Sequence, residues 1–195
     1  MIYNDVIIGE TPSNVVQMNK TELISRLGQG IDIDSLQIKE LINKYYDNVI
    51  FRFAYAKVPF KIIENTCYFE NEKVISSSVH KVLQDANEVF LLAVTSGIKI
   101  DKLIAKLSIQ IPSEAFYMDA IASAGIESYI DFINYKICEG LNVTKRFSPG
   151  YSDFPLEFQK YLINRLSAND NLGIMLSNDY LMLPRKSITA VIGIK

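Results

Sequence analysis

The stretch 89–94, Val-Phe-Leu-Leu-Ala-Val, constrains this chain more than any other. An uninterrupted apolar run offers no polar face to water. It is bounded by Asn87 before and by Thr95, Ser96 and Gly97 after, so it suits a buried central strand. The neighbouring segments fill in around it. Residues 1–31 mix apolar stretches with the turn formers Gly9, Pro12, Gly28 and Gly30, which predicts a short strand and then a short helix. Asp34 ahead of Leu36, Leu41, Ile42 and Tyr45 predicts a capped helix with one apolar stripe. Residues 49–63 are rich in β-branched and aromatic side chains and read as a strand, with Pro59 demoting its middle to an edge or a bend. Residues 67–74 resemble a hairpin, and Ser76, Ser77 and Ser78 cap a helix with Val79, Val82 and Leu83 on one face.

A short helix follows over 101–107, and Pro112 opens a long one reaching about residue 139. In its middle Ala120, Ala122, Ser123, Ala124 and Gly125 lower the side-chain wall, which admits either a ligand or a closely packed neighbour. A further helix has Pro155 in its first turn and Leu156, Tyr161, Leu162 and Leu166 as its apolar side. Strands over 174–176 and 187–194 finish the chain. Hairpins and a strand-rich end argue against a regular βαβ repeat. The expected fold is therefore α+β, a single domain with a largely antiparallel twisted sheet packed with helices.

Charge and composition exclude several classes of partner. Lys and Arg total 20 against 22 Asp and Glu, a net charge of -2, and no basic block is present to neutralise a run of phosphates. Nucleic acid is not an expected partner. The longest apolar runs, 89–94 and 188–194, fall well short of the roughly 20 residues a membrane-spanning helix needs. Met1 begins a mixed segment and not a signal peptide. With no export signal, Cys67 and Cys138 read as reduced thiols of a cytoplasmic protein.

Most motif searches end negatively. Gly28-Gln29-Gly30 is a fragment of a dinucleotide fingerprint without a βαβ unit around it, and Arg185-Lys186-Ser187 lacks the glycine loop that a phosphate-binding turn requires. His80 is the single histidine, which excludes a multi-histidine metal site, and two distant cysteines do not make a zinc site. The segment Arg146-Phe147-Ser148-Pro149-Gly150-Tyr151-Ser152-Asp153 differs in kind. Pro149-Gly150 enforces a tight turn, and a cation and an aromatic ring flank it at short range. Such a loop is either a ligand loop, with main-chain groups offered beside a charge and a ring, or an ordinary turn into the helix that follows.

The stretch from Arg146 to Glu157 resembles the Arg-x-x-Pro-Gly-Tyr signature of the activation domain of cobalamin-dependent methionine synthase. Three further blocks are similar to that family in order and spacing. They are Phe90-Leu-Leu-Ala-Val-Thr-Ser-Gly97, Asp119-Ala-Ile-Ala-Ser-Ala-Gly-Ile-Glu127, and Leu172-Gly-Ile-Met-Leu-Ser177 with Met182, Pro184, Lys186-Ser187 and Gly193. The likeness covers roughly 34–195 and leaves 1–33 as a poorly matched N-terminal segment.

The resemblance implies binding of S-adenosylmethionine. Arg146, as an exposed loop cation, would pair with the ligand carboxylate, and Ser148 and Gly150 would offer main-chain contacts. Tyr151 would face the ligand and the corrinoid together, and Glu127 would bind the cationic part of the ligand. No catalytic residue and no metal ligand is implied, because the chain would bind and orient while the corrinoid performs the chemistry.

The chain lacks the Asp-x-His-x-x-Gly sequence of a corrinoid-carrying module, so cobalamin is expected only through a partner. That partner would be a corrinoid-bearing methionine synthase chain, reduced by a flavodoxin-like or other electron donor. The implied function is the activation component of a split methionine synthase, serving reductive methylation of cob(II)alamin. Two alternatives remain open at this point: a non-catalytic interaction module docking on a corrinoid protein, and an activator of another corrinoid methyltransferase.

Overall fold

The computed structural model describes residues 5–28 and 30–195; residues 1–4 and Gln29, the middle of the Gly28-Gln29-Gly30 stretch, lie outside them. At the centre stands the strand expected from the apolar run, Glu88–Thr95, the fifth in the chain and labelled β5. Val89, Leu91 and Ala93 enter one core, and Phe90, Leu92 and Val94 the other. The period of two in side-chain direction explains why no polar residue interrupts the run, since both faces of this strand are covered.

The other strands are β1 (Ile7–Thr11), β2 (Phe51–Ile63), β3 (Thr66–Phe69), β4 (Glu72–Ile75), β6 (Met175–Leu176), β7 (Met182–Leu183) and β8 (Ser187–Ile194). The main sheet runs β4-β3-β2-β5-β8, with β1 beside the first half of β2, and every pairing is antiparallel. The helices are α1 (Lys20–Leu27), α2 (Leu36–Asn48), α3 (Ser77–Leu83), α4 (Ile98–Gln110), α5 (Pro112–Ile137), α6 (Gln159–Arg165) and α7 (Ala168–Leu172). The helices α1, α2, α4 and α5 bury their apolar sides against one face of the sheet, and α3, α6 and α7 against the other. The fold is thus α+β, a curled antiparallel sheet packed with helices. The N-terminal segment belongs to the same body. Val16, Leu23 and Leu27 lie in the α5-side core, and Thr11 Oγ1 sits 3.1 Å from the buried Tyr129 hydroxyl.

Several local expectations need correcting. The cap of α2 is Ser35, whose side chain accepts from Ile38 N, and not Asp34; Leu36 is 74% exposed and stands outside the buried stripe of Ile38, Leu41 and Tyr45. Pro59 does not move β2 to an edge, because β2 lies between β3 and β5 in the sheet. The proline pairs with Glu88 of β5 and lies one residue before the β2–β3 ladder, which begins at Phe60 opposite Phe69, so its missing N–H falls outside that second ladder. The helix expected over 101–107 is the longer α4, and α7 and β7 were not foreseen. At Gly125 the low wall of α5 admits a side chain, since a Cβ there would collide with the Tyr45 hydroxyl.

Both cysteines are free thiols. Burial pushes Cys67 up to about 11 and raises Cys138 as well, so neither is a thiolate near neutral pH. Among the described residues no helix is long and apolar enough to cross a membrane.

Candidate functional site

β8 ends the sheet order, so its outer side has no full strand partner. The segment after α5 covers part of that edge. Phe147 N donates to Val191 O at 2.9 Å and Val191 N returns to Phe147 O at 2.8 Å, while Thr144 N donates to Gly193 O at 2.9 Å. The C-terminal half of β8 is thereby closed. Two residues upstream of Val191, the same alternation turns the main-chain N–H and C=O of Thr189 outward along the edge, where the covering chain has already left.

It leaves through the Pro149-Gly150 turn. Gly150 has φ +91, a conformation that side chains other than glycine resist, and its N–H donates to Phe154 O at 2.8 Å. Tyr151 N donates to Ser148 O at 3.3 Å and closes the turn from inside. Two anchors hold this loop. The Phe147 and Phe154 rings stack at 5.6 Å with planes 12° apart, and Phe154, 1% exposed, leads on to Phe158 in the core. Asp153 accepts from Ser76 Oγ at 2.7 Å, Ser77 N at 2.7 Å, Ser77 Oγ at 2.6 Å and Ser78 N at 3.1 Å, binding the loop to the start of α3. Those bonds, from Ser77 first and then Ser76 and Ser78, hold the Asp153 carboxyl well below the usual carboxylate range.

Between this loop, the open half of β8 and α5 lies a cavity of about 310 Å³, whose lining includes Glu127, Arg146, Ser148, Tyr151, Gln159 and Thr189. Four of the five expected site residues therefore meet on one space. The fifth, Gly150, does not line it and contributes the shape of the turn. Arg146 is not the exposed loop cation that was expected, because its side chain is only 21% exposed and its Nη2 lies 3.2 Å from Glu127 Oε2 and 3.1 Å from Asp131 Oδ1. One nitrogen serves both acids. Among the described residues no acceptor faces Nε or Nη1, so the guanidinium keeps donors for a further anion. Glu127 is equally engaged, since its other oxygen lies 3.7 Å from Arg26 Nη2 on α1. Tyr151, 64% exposed, stands at the rim.

Sequence reasoning missed Asp131, Gln159 and Thr189. Asp131 follows Glu127 at i+4 on α5, a spacing that puts both carboxylates on one helix face and could have been found. Gln159 is 7% exposed and Thr189 1%, and neither Gln159 Oε1 nor Thr189 Oγ1 has a hydrogen-bond partner among the described residues. Lys186 and Ser187 are spent elsewhere. Lys186 Nζ reaches Asp119 Oδ1 and Ser123 Oγ, each at 2.8 Å, and Ser187 Oγ lies 2.7 Å from Pro184 O.

A larger hollow of about 660 Å³ opens between α1, α2 and residues 13–18, but the Tyr46 hydroxyl on its wall already donates to Val16 O at 2.9 Å. It lacks the convergence of unsatisfied polar groups that marks the smaller cavity. Among the described residues no three His, Cys, Asp or Glu side chains cluster as a metal site would require.

No protein-family profile matches the sequence. No curated protein matches it either. The fold, by contrast, has a solved relative: the crystal structure of the MetH reactivation domain bound to AdoHcy superposes with a TM-score of 0.70 at 13% sequence identity, over 96% of this chain and 78% of that one. The likeness is one of fold.

Proposed function

We propose that this chain binds S-adenosylmethionine in the cavity beside β8 and presents it to cob(II)alamin held on a separate corrinoid-bearing methionine synthase chain. The observation that carries the reading is the meeting of Glu127, Arg146, Ser148 and Tyr151 on one cavity. These residues lie in two sequence blocks that resemble the methionine synthase activation domain. The shared fold with a MetH reactivation domain crystallised with AdoHcy, the demethylated form of the same ligand, adds support.

The donor set fits such a ligand. Nε and Nη1 of Arg146 can take the ligand carboxylate as a charge-assisted pair while Nη2 stays with Glu127 and Asp131. Those two acids keep a negative field beside it for the ligand ammonium. Tyr151 at the rim offers an apolar ring to whatever covers the cavity mouth. When bound on its own chain and reduced by an electron donor such as a flavodoxin, the corrinoid supplies the nucleophile that takes the methyl group. The residues here bind and orient, and no general acid, base or covalent nucleophile is required of them.

The test mixes the protein with its organism's corrinoid-bearing methionine synthase in the cob(II)alamin state, a reductant and S-adenosylmethionine, and follows methylcobalamin absorbance. Formation that requires this chain and is lost with Arg146→Ala supports the reading; an equal rate without the chain contradicts it. The engagement of Arg146 by Glu127 and Asp131 also suits a second reading, in which the arginine merely clamps the loop to α5 and the chain is a docking module without a ligand. Titration with S-adenosylmethionine separates the two.

A further inference from the structure

Gln159 Oε1 and Thr189 Oγ1 are buried without a hydrogen-bond partner among the described residues, and both side chains line the same cavity. A buried polar atom left unpaired costs about 1–3 kcal/mol, so two on one wall call for a common explanation. Packing offers none: Gln159 opens the first turn of α6 beside Phe158 and Leu162, where an apolar side chain would fill the same place without the cost. The two groups are also neutral, set apart in chemistry from the charged side of the cavity formed by Glu127 and Arg146. Met182, Ile188 and Phe147 complete their surroundings with apolar surface.

A flat, uncharged group with hydrogen-bonding edges fits such a wall, whereas an ammonium or a carboxylate would lose its hydration there without a counter-charge. The space does not end at this wall. Gln159 and Met182 also line a neighbouring hollow of about 560 Å³ beneath the 177–185 segment, so a ligand held at Arg146 can extend past Gln159.

The geometry points to Gln159 and Thr189 as the residues that recognise the nucleobase of the ligand, accepting hydrogen bonds from the exocyclic amino group of adenine. This inference rests on the function proposed above and adds to it the end of the cavity that reads the base. A carboxamide presents an acceptor beside a donor, which matches the amino group and adjacent ring nitrogen of adenine; the Thr189 hydroxyl can serve either role. The main-chain N–H and C=O of Thr189, turned outward on the open edge of β8, lie in the same region and strengthen the match. Gln159 and Thr189 are specificity residues in this account, and Arg146 supplies the charge contact.

The experiment titrates the protein with S-adenosylhomocysteine and with its analogue carrying hydrogen in place of the 6-amino group. Wild type is expected to prefer the amino form about tenfold to a hundredfold, the loss that follows when a buried acceptor finds no donor. In Gln159→Leu and in Thr189→Val, affinity for S-adenosylhomocysteine should fall about tenfold, while affinity for the analogue changes little. Preference for the amino form then shrinks or vanishes. The same substitutions should leave the melting temperature of the free protein unchanged or raised, because each removes an unpaired buried oxygen, and a merely structural role would lower it. Thr189→Val is nearly isosteric and keeps the test available where Gln159→Leu folds poorly. Binding by wild type with the preference intact in both variants overturns this inference and leaves the proposed function standing. Absence of any binding of S-adenosylhomocysteine by wild type overturns both.

Discussion

At Arg146 one nitrogen holds two carboxylates and the rest of the guanidinium remains available, so under the proposed function the side chain is both a clamp and an anion receptor. Its removal should therefore have unequal effects. Arg146→Ala is expected to weaken S-adenosylmethionine binding by about tenfold to a hundredfold, the worth of a hydrogen bond to a charged group. Stability should change by only about 1 kcal/mol, because the ion pairs it loses are partly exposed; calorimetric titration and a urea melt measure the two separately. Gly150 acts through shape. At φ +91, with Leu156 Cδ1 only 3.1 Å from where a Cβ would stand, Gly150→Val should cost about 1–3 kcal/mol of stability and distort the loop, lowering affinity although Gly150 does not touch the cavity. Asp153 holds the same loop from outside. Its carboxyl lies below the unfolded value of about 3.9, so the stabilisation it gives is fully present above that pH and is lost as pH falls through the lower folded value. The stability difference between wild type and Asp153→Asn should stay constant from about pH 5 to 7 and close only below about pH 4. A difference that narrows already between pH 7 and 5 would place the anchoring charge elsewhere.

Among the elements, those written by local pattern were legible and those written by long-range packing were not. The alternating destinations of Val89, Phe90 and Leu91 are implicit in a run with no polar face, and β5 sits where the sequence put it. Ser76 caps α3 as its position before Val79 suggests. Pro59 misled because local propensity cannot tell that β2 outlasts β1 and changes neighbours at that place. The small-residue stretch of α5 misled for a related reason. It is a low wall, and only the tertiary structure reveals that Tyr45 of α2 occupies the gap. That contact gives a prediction at this scale. Gly125→Ala would drive a methyl into the Tyr45 phenol and should destabilise the fold by about 1–3 kcal/mol in a denaturant melt, with ligand affinity little changed. If affinity falls while stability does not, the gap belongs to the ligand after all. The candidate site was partly legible. Its charged half, Arg146 and Glu127, lies in recognisable blocks, whereas Gln159 and Thr189 become notable only once burial leaves their oxygens unpaired.

For the whole molecule, the sheet edge is the organising feature. β8 is closed over its C-terminal half by residues 143–147 and open over its N-terminal half, and the cavity occupies the difference. Helices on both faces hold that edge in place, so the site depends on the rigidity of the body as much as on its own loop. These 195 residues include no Asp-x-His-x-x-Gly sequence, and under the proposed function this polypeptide is expected to be colourless when purified, a point that an absorbance spectrum checks directly. Under the proposed function, contact with a corrinoid partner would be transient, since the same corrinoid would also have to meet its primary methylation substrates. A modest interface and weak affinity are therefore expected. The central claim is that the cavity beside β8 binds S-adenosylmethionine, and isothermal titration of the wild-type protein with that ligand tests it most directly. Saturable binding of one ligand per chain, weakened at least about tenfold by Arg146→Ala, is the predicted result. Heats indistinguishable from dilution across the millimolar range, or wild-type affinity in Arg146→Ala, would contradict it.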